Sequence, residues 1–287
     1  MDFCINSARK HLAITFDSEK QHTKVKTTNI DQTTRLLNSL CCLRTLATST
    51  IQLDIDARNV EMKFKHIKQL VQITNICSLS LCSANFQLDL YHHLSGLSSL
   101  EYLCLYSSSE SINWLSTNLT ALDVAFPKVK DWTPLTKLER LKKFILRNTN
   151  NQPFSSVFPA LHKLTALETL SFHDSISTDQ EIQSVCNVNY ARLTSLSIHC
   201  DELAPKTLFY IKKLTTLKKL GLTSTPEYYL SSLACLTNLT WLYLSTWSED
   251  NKNIWDNKSL QSLSVLTKLK VLNFKTPRLV ISHGFMA

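Results

Sequence analysis

The segment Leu239-Thr-Trp-Leu242-Tyr-Leu244 has the form L-x-x-L-x-L, and eight other segments of the chain repeat it. The first and last copies are Ile76-Cys-Ser-Leu79-Ser-Leu81 and Leu269-Lys-Val-Leu272-Asn-Phe274. The middle apolar residues recur with a mean period of about 24, which indicates a stacked repeat architecture. These middle residues are Leu79, Leu103, Leu122, Phe144, Leu170, Leu196, Leu220, Leu242 and Leu272.

The L-x-L part of each copy predicts a short strand with one apolar face. Side chains two residues apart share a face of a strand, and the residue between them points the other way. One repeat cannot bury its apolar edge alone, so we expect neighbouring repeats to stack and their strands to run parallel. The opposite face of the sheet is predicted to remain open.

The phrase that precedes several strands supports a specific family. It has the form L-x-x-L-[TS]-x-L in Leu94–Leu100, Leu233–Leu239 and Leu263–Leu269. The chain resembles the leucine-rich repeat family, in particular the short-repeat type of internalin-like and phosphatase-regulator-like proteins. The resemblance implies an α/β fold: a right-handed horseshoe solenoid with a parallel concave sheet and helices or irregular segments on the convex side. It covers about residues 67–276.

The ends of the chain differ from the repeats. Residues 1–66 are predicted to form an N-terminal cap with one degenerate repeat, including an amphipathic helix over 29–46 and a hairpin between 51–55 and 60–64. Residues 67–276 carry about nine repeats. The tail 277–287 is expected to act as a C-terminal cap in which Leu279 and Ile281 cover the last leucine layer.

Composition excludes several classes of protein. The 3 glycines cannot form the phosphate-binding loops or the nucleophile elbow that need closely spaced glycines. No stretch reaches the roughly 18 apolar residues of a membrane span, and the N-terminus does not have the pattern of a signal peptide. The 9 cysteines, an odd number without a C-x-x-C pair, indicate free thiols in a reducing compartment, so we expect a cytoplasmic protein.

Aromatic and basic residues mark the face of the strands that points away from the leucines. Aromatic side chains without a place in the core are typical interface anchors, and here they are Tyr102, Tyr106, Trp241 and Tyr243. The basic residues on this face are Lys143, Arg147, Lys219 and Lys275, whereas Asp123 is acidic. The pattern predicts a protein partner with an acidic surface. The cations are too scattered for nucleic acid, and neither a small molecule nor a cofactor is expected.

A weaker chemical possibility lies at two consecutive repeats. His173 and His199 hold the same repeat position, and Cys200 follows the second histidine. Imidazoles and a thiolate are zinc ligands, and a Cys–His pair can activate a nucleophile. A metal-dependent or Cys–His enzyme is therefore the alternative hypothesis, beside the simpler interpretation that both histidines are surface residues.

The leading hypothesis is a non-enzymatic module that binds a protein through the concave face. Tyr102, Tyr106, Trp241 and Tyr243 would anchor the partner, and Lys143, Arg147 and Lys219 would steer it. The resemblance also permits a host-directed microbial effector that acts by binding in the host cytosol.

Overall fold

The computed structural model describes sixteen stretches of the chain. They are residues 3–6, 12–17, 22–27, 50–56, 64–73, 75–82, 91–106, 109–126, 128–147, 156–173, 179–187, 192–199, 203, 206–223, 227–245 and 260–275. The chain divides into two compact units, Met1–Phe144 and Ile145–Ala287.

The first unit holds strands whose order in the sheet follows the order of the chain. They are β1 (Phe3–Asn6), β2 (Leu12–Asp17), β3 (His22–Thr27), β4 (Thr50–Asp56), β5 (Ile76–Cys82), β6 (Tyr102–Tyr106) and β7 (Ala121–Ala125). Strands β1, β2 and β3 pair antiparallel, whereas β3 to β7 pair parallel. The strand β8 (Lys143–Arg147) begins in this unit and ends in the second.

The second unit continues the repeat pattern with parallel strands. They are β9 (Thr169–His173), β10 (Ser195–His199), β11 (Lys219–Leu222), β12 (Trp241–Ser245) and β13 (Val271–Lys275). Equivalent leucines pair across each interface, for example Leu196 with Leu170 on one side and with Leu220 on the other. The predicted parallel repeat sheet is thus confirmed in each unit.

The segments that return from one strand to the next carry short helices. The α-helices are α1 (Phe64–Val71), α2 (Phe158–Leu161), α3 (Asp179–Cys186) and α4 (Thr207–Ile211), and the 3-10 helices are Tyr91–Gly96, Thr133–Lys137, Glu227–Cys235 and Ser262–Val265. The described segment 109–120 has no helix, because the 19-residue step between Leu103 and Leu122 is short. Among the described residues, no helix combines the length and apolar character that a membrane crossing requires.

Strand β4 differs from the sequence prediction. We expected residues 51–55 to form a hairpin with 60–64, but β4 pairs parallel with β3 on one edge and with β5 on the other. Leu53 pairs with Leu79 and Ile55 with Leu81, so this segment takes the register of a repeat. The predicted helix over 29–46 lies outside the described residues.

Leucine layers form the core, as the L-x-L pattern predicted. In the second unit Leu170, Leu196, Leu220 and Leu242 are all at most 1% exposed. They lie side by side because parallel strands in register bring identical repeat positions together. Burial of each such side chain contributes about 1.5–3 kcal/mol.

Aromatic rings fill the core of the first unit where the return segments are short. Neighbouring ring centroids lie 5.7, 6.2, 6.4 and 6.3 Å apart along the row Tyr91, Trp114, Phe126, Trp132 and Phe144. All five rings are buried. Large side chains here occupy the volume that a return helix would otherwise fill.

Threonines directly before β7, β10 and β12 strengthen the contact between repeats. The backbone N–H groups of Thr240 and Trp241 both donate to the carbonyl of Lys218, at 2.8 and 3.1 Å. The Thr240 hydroxyl donates to the same oxygen at 3.1 Å. Thr120 and Thr194 make the same side-chain bond to the preceding repeat. The repeat position at which the family usually has asparagine, three residues after the last strand leucine, lies outside the described residues.

The last strand has an open apolar surface in the described part of the chain. Leu272, although in register with Leu242, is 44% exposed, and Val271 is 45% exposed. No described strand lies beyond β13. Leu279 and Ile281, which we predicted to cover this layer, lie outside the described residues.

The two faces of the sheet predict opposite responses to alanine substitution. Leu196→Ala or Leu220→Ala should lower the free energy of unfolding by about 2–5 kcal/mol, because each removes packing from a filled layer. Lys219→Ala should cost less than about 0.5 kcal/mol, because this side chain is exposed on the opposite face. Chemical denaturation of the three variants measures both effects. Equal losses would show that the two faces had been assigned in reverse.

Two cysteines of the return segments should differ in reactivity. Burial raises the pKa of Cys186 to about 12, although nearby Lys213 lowers it slightly, so the thiolate that reacts with alkylating reagents is scarce. The thiol of Cys235 is exposed. In the native protein we expect Cys186 to be alkylated more than about tenfold more slowly than Cys235.

Timed labelling with a maleimide, followed by peptide mapping in a mass spectrometer, measures the two rates separately. Labelling in denaturant provides the control, since the difference should then vanish. Equal rates in the native protein would contradict the burial of Cys186 at the end of α3.

Candidate functional site

The open face of the sheet is defined here as the side chains that flank the buried L-x-L residues and point away from them. In the first unit, its described members are Gln52, Asp54, Ser78, Ser80, Tyr102, Cys104, Tyr106, Ala121, Asp123, Ala125 and Lys143. In the second unit they are Ile145, Arg147, Thr169, Ser171, His173, Ser195, Ser197, His199, Lys219, Gly221, Thr223, Trp241, Tyr243, Ser245, Val271, Asn273 and Lys275.

Two predicted anchors lie together on β12. Trp241 and Tyr243 are separated by one residue of the same strand, so both project from the open face. Their ring planes are 13° apart with centroids at 6.1 Å, which is a stacked arrangement. Both side chains are partly exposed. The rings are therefore held against each other while one side of the pair stays accessible.

The two histidines also stack. His173 on β9 pairs in register with His199 on β10, and their ring centroids are 4.5 Å apart with planes at 22°. Nε2 of His199 is 2.7 Å from the hydroxyl oxygen of Ser197, and Nε2 of His173 is 3.1 Å from that of Ser171. Each imidazole is thus oriented by a serine of its own strand.

The histidine pair and the aromatic pair form one row. His199 and Tyr243 have ring centroids 6.4 Å apart, although β11 lies between their strands. The residue of β11 that pairs with both Ser197 and Tyr243 is Gly221. A Cβ atom at Gly221 would lie 2.8 Å from the Ser197 hydroxyl oxygen and 3.5 Å from Cζ3 of Trp241. We call His173, His199, Tyr243 and Trp241 the ring row.

Positive charge surrounds the ring row. Lys219 is exposed and pairs in register with Trp241. Arg147 on β8 and Lys275 on β13 are the other cations among the described open-face residues of the second unit, where no carboxylate occurs. Glu168 is the acid at the edge of this surface, directly before β9. The second unit therefore presents a cationic open face.

The predicted anchors of the first unit lie in a different environment. Tyr102 and Tyr106 are both partly exposed on β6. Burial raises the pKa of Tyr102, and the charges of Cys104 and Asp123 raise it further, so its phenol stays protonated at physiological pH. Asp123 is 6% exposed and pairs in register with Cys104.

Charge is mixed on the open face of the first unit. Lys143 is exposed at the start of β8, while Asp54 on β4 pairs with Ser80. Asp54 was not expected on the open face, because residues 51–55 were predicted to form a hairpin. The basic character that the sequence predicted for the whole face is thus strongest in the second unit.

The geometry of the two histidines bears on the metal hypothesis. The lone pairs of imidazole lie in the ring plane, so an ion bound by both rings would have to lie in both planes. Two stacked planes at 22° with centroids 4.5 Å apart do not meet close to the ring nitrogens. Among the described residues, no group of three His, Cys, Asp or Glu side chains could hold a metal. Cys200, the third predicted ligand, lies outside the described residues.

A cavity of about 430 Å³ opens on the return side of the first unit, where Tyr91, Ser109, Ser111 and Trp114 contribute to its wall. Two of its polar side chains bond within the turn: the Ser109 hydroxyl and the Trp114 indole both donate to the carbonyl of Ser111, at 2.7 and 2.8 Å. These groups stabilise the turn, so the candidate site is placed on the open face.

Comparison with sequences identifies no relative: no protein-family model and no curated protein matches this chain. Comparison with solved structures does find similar folds. An internalin (inlF) from Listeria monocytogenes superposes with a TM-score of 0.55 and 18% sequence identity, over 90% of this chain and 68% of the internalin chain.

Two further structures have lower scores. An internalin C2 (inlC2) from Listeria monocytogenes has a TM-score of 0.38 and 19% identity, over 77% of this chain and 79% of that chain. The LRR ectodomain of the plant membrane receptor kinase GASSHO1/SCHENGEN3 from Arabidopsis thaliana, in complex with CASPARIAN STRIP INTEGRITY FACTOR 2, has a TM-score of 0.37 and 18% identity, over 81% of this chain and 31% of that one.

The superposition on inlF agrees with the repeat pattern of the sequence and with the parallel leucine layers of both units. The chain has the leucine-rich repeat fold.

Proposed function

We propose that this protein is a non-enzymatic binding module that docks a protein partner on the open face, which the repeat architecture predicts to be concave. The residues that take part are the anchors Tyr102, Tyr106, Trp241 and Tyr243 and the steering cations Lys143, Arg147 and Lys219. The leucine layers serve as the rigid support.

The observation that carries this proposal is the stacked pair Trp241 and Tyr243. Aromatic side chains that are partly exposed and already held in place lose little conformational freedom when a partner covers them. Their strand is paired on both edges, so its backbone is also fixed. Rigid aromatic residues of this kind supply much of the affinity at protein interfaces.

Charge supports a partner with an acidic surface. The cations Arg147, Lys219 and Lys275 lie on the open face of the second unit without a carboxylate at the other described positions. Complementary potential accelerates association and selects against basic partners.

A reducing compartment is consistent with the thiols. Cys77, Cys186 and Cys235 carry free thiols. Free thiols are typical of cytosolic proteins. We therefore place the proposed binding activity in the cytoplasm. The shared fold with internalins extends the proposal to a microbial effector that acts by binding in a host cytosol.

Substitution of the anchors tests the proposal. The double variant Trp241→Ala, Tyr243→Ala should lose the principal partner that the wild-type protein captures from lysate, with an affinity reduced about 30-fold or more. The matched control is Phe209→Ala, Tyr210→Ala, which removes two neighbouring rings from α4 on the return side. Quantitative mass spectrometry of the captured proteins measures the result.

The control variant should retain the partner, because α4 faces away from the open face. If the Trp241 and Tyr243 double variant remains folded by circular dichroism and captures every partner unchanged, docking on the open face is refuted.

A further inference from the structure

We infer that the ring row is a single docking site for an extended acidic segment of a protein, and that His173 and His199 supply part of its positive charge. This inference rests on the proposed function and adds to it the chemistry of the partner. From the sequence, the histidines were predicted to be surface residues or metal ligands. They were not expected to form one site with the anchors Trp241 and Tyr243.

Continuity of the rings is the first observation. Successive centroids lie 4.5, 6.4 and 6.1 Å apart from His173 through His199 and Tyr243 to Trp241. The row crosses from β9 to β12, which is about 14 Å at the usual strand spacing. An extended peptide covers that distance with about four residues. A short segment of a partner can thus contact all four rings at once.

Gly221 leaves open space in the part of β11 that lies beneath the ring row. Any larger residue at this position of β11 would place its Cβ 2.8 Å from the Ser197 hydroxyl, which is the group that orients His199. A glycine within a strand weakens the strand and often marks a close approach of other groups. Here the missing side chain leaves room on β11 for the Ser197 hydroxyl on one side and the ring of Trp241 on the other.

The serine bonds keep the imidazoles in place in both charge states. A hydroxyl can donate to a neutral imidazole nitrogen and can accept from a protonated one. The contacts Ser171–His173 and Ser197–His199 therefore persist when a histidine takes up a proton. Protonation of a histidine therefore adds positive charge to the site without breaking its hydrogen bond to the serine.

The surroundings of the histidines favour an anion over them. Two protonated rings 4.5 Å apart repel each other, and a carboxylate that lies over both relieves this repulsion. The groups on the neighbouring strands are cationic or neutral: Arg147 on β8, Ser195 and Ser197 on β10, Lys219, Gly221 and Thr223 on β11, and Tyr243 and Ser245 on β12. On β9 itself lie Thr169 and Ser171, with Glu168 directly before the strand.

The sparse cations favour an acidic protein segment over a nucleic acid. The fixed positive charges of this face are on three different strands, as Arg147, Lys219 and Lys275. A nucleic-acid backbone needs closely repeated cations along its path. A peptide with a few carboxylates and an apolar residue matches a row with histidines at one end and Trp241 at the other.

Direct binding of a short fluorescent polyglutamate peptide tests the inference. Histidine changes its charge between about pH 5 and pH 8, whereas glutamate remains ionised down to about pH 4.3. Fluorescence anisotropy at low salt should show about tenfold tighter binding to the wild-type protein at pH 5.5 than at pH 7.5, since lower pH adds positive charge only to the protein.

Variants test whether the tighter binding at low pH comes from the ring row. His173→Gln, His199→Gln should abolish the gain at low pH, while His162→Gln, an exposed histidine of the return side, should retain it. Gly221→Ala keeps every ring and charge but displaces the Ser197 hydroxyl, so we expect about tenfold weaker binding with cooperative unfolding preserved.

Three outcomes would overturn the inference: no polyglutamate binding by the wild-type protein at millimolar peptide, a gain at low pH that survives in the double histidine variant, or tighter binding of a single-stranded oligothymidylate than of polyglutamate. The failure of this inference is distinguishable from that of the proposed function. The Trp241 and Tyr243 double variant can lose its lysate partner even if the histidine variants behave like the wild type.

Discussion

Parallel pairing of identical repeat positions is the constraint on which the rest of the structure depends. At the start of six strands, β7, β8 and β10 to β13, two consecutive backbone N–H groups donate to one carbonyl of the preceding repeat, as Thr240 and Trp241 do to Lys218. This contact sets the register, and the register aligns the leucines that no single repeat could bury. The same alignment places the open-face side chains of adjacent strands within reach of one another, so the core and the candidate site result from one geometric rule.

In the candidate site, register explains the contact between His173 and His199 but does not explain the contact between His199 and Tyr243. Register alone brings His173 beside His199, but it would separate His199 from Tyr243 by a full strand. The two rings nevertheless lie 6.4 Å apart, and Gly221 on the intervening strand leaves room for the Ser197 hydroxyl that orients His199 and for the ring of Trp241. Glycine is a poor strand residue, because it contributes no packing and loses much conformational freedom on folding. In the middle of this paired strand, Gly221 therefore contributes space on the open face at a cost to the stability of the strand.

The two units fill the space between their strands and their return segments with different residues. In the first unit a row of buried rings, including Trp132 and Phe144, fills the space beneath short return segments. In the second unit, α3 and α4 contribute to that layer. Their open faces differ as well, because the carboxylates among the described open-face residues, Asp54 and Asp123, both lie in the first unit. The ring row lies in the second unit, where the described open-face residues include cations and no carboxylate and where Glu168 lies directly before β9.

The sequence by itself determined the repeats, their parallel order and the face of each strand, because those features follow from a period of apolar residues that recurs along the whole chain. It also placed His173 beside His199 and the anchors Trp241 and Tyr243 on one strand. It failed at β4, since a short alternating segment does not show whether its neighbours run parallel or antiparallel. Only the tertiary structure decided that the two pairs of rings form one row, because the distance between them depends on side-chain torsions and on the space above Gly221, which no periodicity records.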